Sequence, residues 1–197
     1  MNKNQRMRSI ALGLSLVFAA IAVAPMAMAD SMSSMSSGKT VMVGGAAMYP
    51  SKNIIDNAVN SKDHTTLVAA VKAAGLVDTL EGPGPFTVFA PTNEAFAKLP
   101  AGTVSTLLAP DNKADLVKIL TYHVVPGRLT ASDLSAMVAK DGGRATLTTV
   151  EGEPLTVTRS GSHLMLTDAK GGMSRITISN VMQSNGVIDV VDTVLMP

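Results

Sequence analysis

The sequence predicts an α+β domain, and three observations carry that prediction. Apolar residues recur at helical spacing from about residue 51 to about residue 140, and the period switches to two after Gly142-Gly143. One strand-like segment, Phe86-Thr87-Val88-Phe89-Ala90, lies inside the helical half. Helices followed by hairpins, with an early strand that must return to the sheet, make helices packed on a sheet rather than an α/β alternation.

In chain order, the first segment lies outside this domain. Lys3, Arg6 and Arg8 precede an unbroken apolar stretch from Ile10 to Ala24, and Pro25 leads into Ala27-Met28-Ala29, a small-x-small pattern. This is a secretory signal peptide over residues 1–29, cleaved after Ala29. Its apolar run of about 15 residues is short of the roughly 20 that span a bilayer, so no membrane span is expected after cleavage. Cleavage leaves 168 of 197 residues and lowers the net charge from +1 to −2, because three cations and no anion leave with the signal. Residues 30–48 are rich in Ser, Met and Gly and are expected to form a flexible tether, with the single domain spanning residues 49–197.

Within the domain, Ile54, Ile55, Ala58 and Val59 predict a short helix with Ser51 as its N-cap. Leu67, Val68, Val71 and Ala74 form one face of a helix over Thr65 to Ala74 that Gly75 stops, and Leu76, Val77 and Leu80 add a further turn. Gly82-Pro83-Gly84-Pro85 breaks the helical run before the strand. Thr92 then caps a helix with Glu94 in its first turn and Pro100 at its end. Short helices follow at Val104 to Leu108 and Leu116 to Leu120, then a strand at Tyr122 to Val125. A helix is expected from Leu129 to Ala139, with Thr130 or Ser132 at its start. Five strands close the chain: Thr146 to Val150, Leu155 to Arg159, His163 to Thr167, Arg175 to Asn180 and Val187 to Leu195.

Composition narrows the function. The chain is 46% hydrophobic and 16% charged, with mean hydropathy +0.28, which excludes a disordered chain. Near-neutral charge and 3% aromatic residues offer neither the basic patch nor the stacking platform of a nucleic-acid binder. No cysteine is present, which removes disulfides, thiol nucleophiles and thiolate metal sites, and the exported fold must rest on its aliphatic core.

Three blocks carry a family resemblance. Gly84-Pro85-Phe86-Thr87-Val88-Phe89-Ala90-Pro91-Thr92-Asn93-Glu94-Ala95-Phe96 resembles the first signature of the fasciclin domain family. Asn185-Gly186-Val187-Ile188-Asp189-Val190-Val191-Asp192-Thr193-Val194-Leu195-Met196-Pro197 resembles the second, and Leu120 to Gly127 resembles the tyrosine-histidine segment between them. The resemblance implies a wedge-shaped β-sandwich with helices packed on one side and a role in extracellular adhesion or matrix attachment. It also points to Tyr122 and His123 as candidate partner-contact residues. Phe86, Phe89, Pro91, Thr92, Asn93, Phe96, Asn185, Gly186 and Asp192 are expected to be structural. Alternation places Phe86, Val88 and Ala90 on one strand face and Thr87 and Phe89 on the other. Asn185-Gly186 reads as a hairpin turn of residues that tolerate positive φ. At Asp189 the family often carries histidine, and an aspartate there is expected at an exposed or edge position, because a buried unpaired carboxylate is costly.

Catalytic signatures are missing. No Gly-x-Ser-x-Gly elbow occurs, and the prolines of Gly82-Pro83-Gly84-Pro85 remove the N–H donors a phosphate loop needs. His64, His123 and His163 show no metal-ligand spacing. Met32, Met35, Met42 and Met48 form an alternative copper set, because thioethers are soft ligands. The polar loop from Pro126 to Asp133 and the turn from Lys140 to Arg144 suit contact with an acidic glycan or a protein. The expected function is an exported, non-catalytic binding module without a cofactor, attaching to a protein or polysaccharide at the cell surface. The alternative is a periplasmic copper or small-ligand handling protein.

Overall fold

The computed structural model describes residues 40–197. It opens with a hairpin of β1 (Val41–Val43) and β2 (Ala46–Met48), turning on Gly44-Gly45, both at positive φ. This corrects the expected boundary at residue 49. Val43 and Met48 are each 3% exposed and belong to the core, so the folded part begins before Tyr49. Three-residue strands are too short to register as a period, which is why this stretch read as tether. Residues 1–39, where the signal peptide and the first part of the tether are expected, lie outside the described residues.

The helices follow the expected order. They are α1 (Ile54–Ala58), α2 (Thr65–Ala74), α3 (Val77–Glu81), α4 (Asn93–Ala97), α5 (Thr103–Leu108), α6 (Lys113–Tyr122) and α7 (Ala131–Lys140). Asn53, not Ser51, caps α1, accepting from the Asp56 N–H. Gly75 ends α2 at φ 73°, and Thr130 and Asp133 form a reciprocal capping box on α7. Tyr122 and His123 are not in a strand. Tyr122 is the last residue of α6 and His123 its cap: the His123 N–H donates to the Leu120 carbonyl, and its ring also bonds the Ile119 carbonyl one turn back.

The strands are β3 (Phe86–Pro91), β4 (Val124–Pro126), β5 (Arg144–Thr148), β6 (Pro154–Ser160), β7 (His163–Thr167), β8 (Met173–Gln183) and β9 (Gly186–Val191). Their order across the sheet is β4-β3-β9-β8-β7-β6-β5, with β3 and β9 parallel and the other pairs antiparallel. The long strand β8 links the two parts of the sheet. Its first part pairs with β7 and its remainder with β9, with register shifts between Ile176 and Ile178 and between Ile178 and Val181.

Two apolar clusters lie on opposite faces of β3 and β9. Helices α1 to α6 pack with Val88, Ala90, Ile188 and Val190 on one side. Phe89 and Val191 face the other cluster, which α7 shares with β5, β6 and β7 through Leu134 and Val138. The expected alternation along β3 holds, and α7 sits apart from the remaining helices.

Candidate functional site

The first signature block is a set of internal braces. Thr92 Oγ1 accepts from the Ala95 N–H at 3.2 Å, capping α4. Asn93 ties two elements together: its Oδ1 accepts from the Thr66 N–H at 3.0 Å, and its Nδ2 donates to the Lys62 carbonyl at 2.8 Å. Phe89 and Phe96 are buried in the two clusters, and Pro91 ends β3 beside Val191.

The second block behaves alike. Asn185 Oδ1 accepts from the Ile54 N–H at 3.1 Å, and its Nδ2 donates to the Leu80 and Gly82 carbonyls at 2.7 and 3.1 Å. Its own carbonyl accepts from the Phe86 N–H at 3.0 Å, so one residue joins α1, α3, β3 and the β8–β9 turn. Neither Asn185 nor Gly186 adopts positive φ, which corrects the reason given for this pair. Gly186 is required by close approach: a Cβ there would stand 2.1 Å from the Phe86 carbonyl oxygen. Asp192 Oδ1 accepts from the Arg175 N–H at 2.9 Å, and the Asp192 carbonyl accepts from Lys98 Nζ at 2.6 Å.

Tyr122 and His123 do not reach the surface. Tyr122 is fully buried, donating to the Pro154 carbonyl at 2.9 Å and accepting from the Ala169 N–H at 3.1 Å. His123 is 2% exposed. Its Nδ1 donates to the Ile119 carbonyl at 2.8 Å and its Nε2 accepts from the Leu195 N–H at 3.0 Å, a pattern that defines the neutral ring. Burial lowers its pKa from 6.5 to about 4. The pair therefore joins α6, the strands and the chain end, and the expected partner contact is corrected: burial bars both side chains from an outside surface.

Asp189 overturns the expected exposure. It is fully buried in β9, between β3 and β8. Its Oδ1 accepts from the Asn180 N–H at 2.9 Å, and its Oδ2 has no partner. Asn180 sits in the β8 irregularity at φ 61°, so the bulge turns one backbone donor onto the carboxylate. Burial nonetheless raises the Asp189 pKa to about 6.

The copper set does not assemble from its described members. Met48 is buried in the core while Met42 is 60% exposed; Met32 and Met35 lie outside the described residues. Among the described residues no cluster of three or more His, Asp or Glu side chains is placed to hold a metal. In the loop after β4, Arg128 donates to the Gln183 and Ser184 carbonyls and Thr87 Oγ1 donates to the Gly127 carbonyl, so much of Pro126–Asp133 is bound to the body of the fold. Lys140, Asp141 and Arg144 are exposed.

Sequence reasoning missed two features. Asn57 and Gln183 are buried and hydrogen-bonded to each other across 126 residues, and Asn57 also holds both backbone groups of Tyr49. A cavity of about 40 Å³ lies between α1, α2, α3 and the sheet, with His64 and His123 in an otherwise largely aliphatic wall. No local pattern marks either one, since both arise from residues distant in sequence.

Helices braced on a mixed sheet by two inward-turned signature blocks define an α+β domain of the fasciclin type. Residues 62–197 match the Fasciclin domain, and the chain belongs to that family. The chain is 45% identical over 161 residues to the protein sll1483 of Synechocystis, covering 81% of each. It is 38% identical over 160 residues to the cell surface glycolipoprotein MPB83 of Mycobacterium bovis, covering 79% of this chain and 64% of the relative. The structure resembles a FAS1 domain pair from the insect cell adhesion molecule fasciclin I, with TM-score 0.67 and 18% identity over 76% of this chain and 52% of the other. At that identity the likeness is one of fold. Among the described residues no helix is long and apolar enough to cross a membrane.

Proposed function

We propose that this protein is exported, cleaved after Ala29, and acts as a non-catalytic binding module. It attaches to a protein or polysaccharide of the cell envelope or extracellular matrix. One observation carries the reading: the side chains of Thr92, Asn93, Asn185 and Asp192 in the signature blocks are occupied by bonds within the fold, which leaves recognition to exposed loops. The exposed turn bearing Lys140 and Arg144 is the contact surface. Family membership, a relative named for the cell surface and a fold shared with an adhesion molecule support this reading.

A glycan array and a pull-down from envelope extracts test it. Saturable binding that weakens about tenfold in the Lys140→Glu/Arg144→Glu variant is the expected result, as loss of rim charges slows encounter. Absence of any macromolecular binding, together with a bound metal ion in native mass spectrometry, would refute it. Export is tested separately by N-terminal sequencing of secreted material, which should begin at Asp30; a membrane-held form retaining Met1 would exclude cleavage.

A further inference from the structure

Strands β5, β6, β7 and the first part of β8 bury one face only. Ala145, Leu147, Leu155, Val157 and Leu166 point into the cluster shared with α7, so alternation turns the residues between them outward. The outward side chains are all exposed or half-buried. Register sets them in rows across the strands. One row runs Arg144, Thr158, Met165, Arg175, and the next runs Thr146, Thr156, Thr167, Met173. Met165 and Met173 belong to neither core cluster, and Met173 is 65% exposed.

The charge on this face is opposite to that of the domain. Residues 40–197 carry 12 Lys and Arg against 14 Asp and Glu, yet neither row holds an acidic residue and one holds two arginines. Among the described residues Arg144 has no ion pair. Arg175 meets Asp192 through Nε, at 3.8 Å, which leaves the two terminal nitrogens of its guanidinium for a ligand. Of the carboxylates at the border, Glu153 is held by Lys118, Asp192 accepts from the Arg175 N–H, and Asp141 lies in the turn before β5. We propose that this outer face binds an acidic polysaccharide of the uronate type, with carboxylates on Arg144 and Arg175 and sugar hydroxyls on the threonines between them. The inference rests on the binding-module reading and extends its contact surface from the Lys140–Arg144 turn across four strands.

The chemistry of the rows selects this class. The two arginines stand three strand spacings apart, roughly 14 Å at about 4.8 Å each, so one small anion cannot meet both and a polymer with repeated charges can. Guanidinium forks pair with carboxylates bidentately. Threonine hydroxyls donate and accept, as sugar hydroxyls do, and their stiff χ1 means that little entropy is lost on binding. Met165, Met173 and the threonine methyl groups supply apolar surface for the C–H faces of sugar rings. No Phe, Tyr or Trp stands on these strands, so a nucleic acid would find no stacking platform.

Titration of the exported protein with alginate oligomers in calcium-free buffer, followed by calorimetry and amide NMR, tests the assignment. Saturable binding with shifts at Thr146, Thr156, Thr167 and Arg175 is expected, weakening as salt rises, with no response to neutral dextran. Arg175→Gln should weaken alginate binding about tenfold through loss of a charge-assisted contact, and Thr156→Glu should abolish it by setting a carboxylate in the middle of the face. Both positions lie outside the core clusters, and a Tm near that of the parent shows that the variants fold. Lys72→Gln, on α2, should leave the affinity unchanged. Alginate binding that survives both face substitutions would overturn the sheet-face site and leave the module reading standing. Binding of a protein or a neutral glycan without alginate would overturn the polyuronate class alone, whereas absence of every macromolecular partner would sink both readings. Equal affinity for single-stranded DNA would show unselective attraction of polyanions, and outer-face shifts on raising protein concentration without ligand would show a second copy on the face; either overturns the proposal.

Discussion

His123 and Asp189 sit at comparable depth, 2% and 0% exposed, and the fold treats them in opposite ways. Around His123, α6 supplies an acceptor and the chain end supplies a donor, so the neutral ring is satisfied on both sides. Around Asp189, β8 supplies one donor through its bulge and nothing reaches the second oxygen. Depth alone therefore says little about what a buried polar residue contributes; the count of its partners decides. The His123 region is held together by its polar group, and the Asp189 region is folded in spite of one.

The two groups also respond to acid with opposite sign. His123 has its pKa lowered to about 4 in the folded protein, so the unfolded chain binds more protons between about pH 6.5 and 4. Its contribution to stability falls as pH drops through that window, by about 3 kcal/mol in full. Asp189 has its pKa raised to about 6 from 3.8, so the folded protein binds more protons there, and stability rises as pH falls from about 6 to 4. That gain is also about 3 kcal/mol, and the two slopes oppose each other over nearly the same range.

The largest effect expected from breaking this balance is His123→Ala. It leaves the Leu195 N–H and the Ile119 carbonyl unpaired and opens a void, and should lower stability by about 4 kcal/mol in urea unfolding at pH 7. A loss under 1 kcal/mol would mean that the ring is not a brace. Next is Asp189→Asn, which keeps the acceptor for the Asn180 N–H and removes the buried charge. It should stabilise the protein by about 2 kcal/mol at pH 7, with the gain gone near pH 4. The same variant should expose the acid loss of His123 as a steeper fall in stability between pH 6 and 4; a gain that does not vary with pH would contradict the assignment. The smallest is Tyr122→Phe, which removes one hydroxyl with two satisfied bonds and should cost about 1 kcal/mol, measured by its shift in Tm. A cost matching that of His123→Ala would show that the two lost pairings, equal in number at both residues, set the scale and that the void left by the ring adds little.

Much of the fold was legible locally. The cap Thr92, the stop at Gly75 and the two faces of β3 followed from short-range rules, because capping and alternation are settled by a few neighbouring residues, while of the two candidates Thr130 and Ser132 the structure has Thr130 as the cap of α7. The site was less legible. Tyr122-His123 looks like strand because aromatic and β-branched residues favour strands, yet the backbone ladder of α6 runs through Tyr122, with the His123 N–H and ring both bonded to its last turn. Asn185-Gly186 was recognised as a turn, but its role in binding α1 and α3 depends on residues more than 100 positions away.

By itself, the sequence determined that this is an α+β domain with fasciclin signatures, built on an aliphatic core without cysteine, because those properties reside in periodicity, composition and contiguous motifs. Tertiary structure alone decided that the hairpin at Val41–Met48 joins the core, that Tyr122 and His123 are buried, that Asp189 lies inside the sheet and that His64 faces a cavity. Burial and pairing are settled by which distant segments meet, and in this protein β9 lies between β3 and β8 while the Leu195 N–H reaches back to His123.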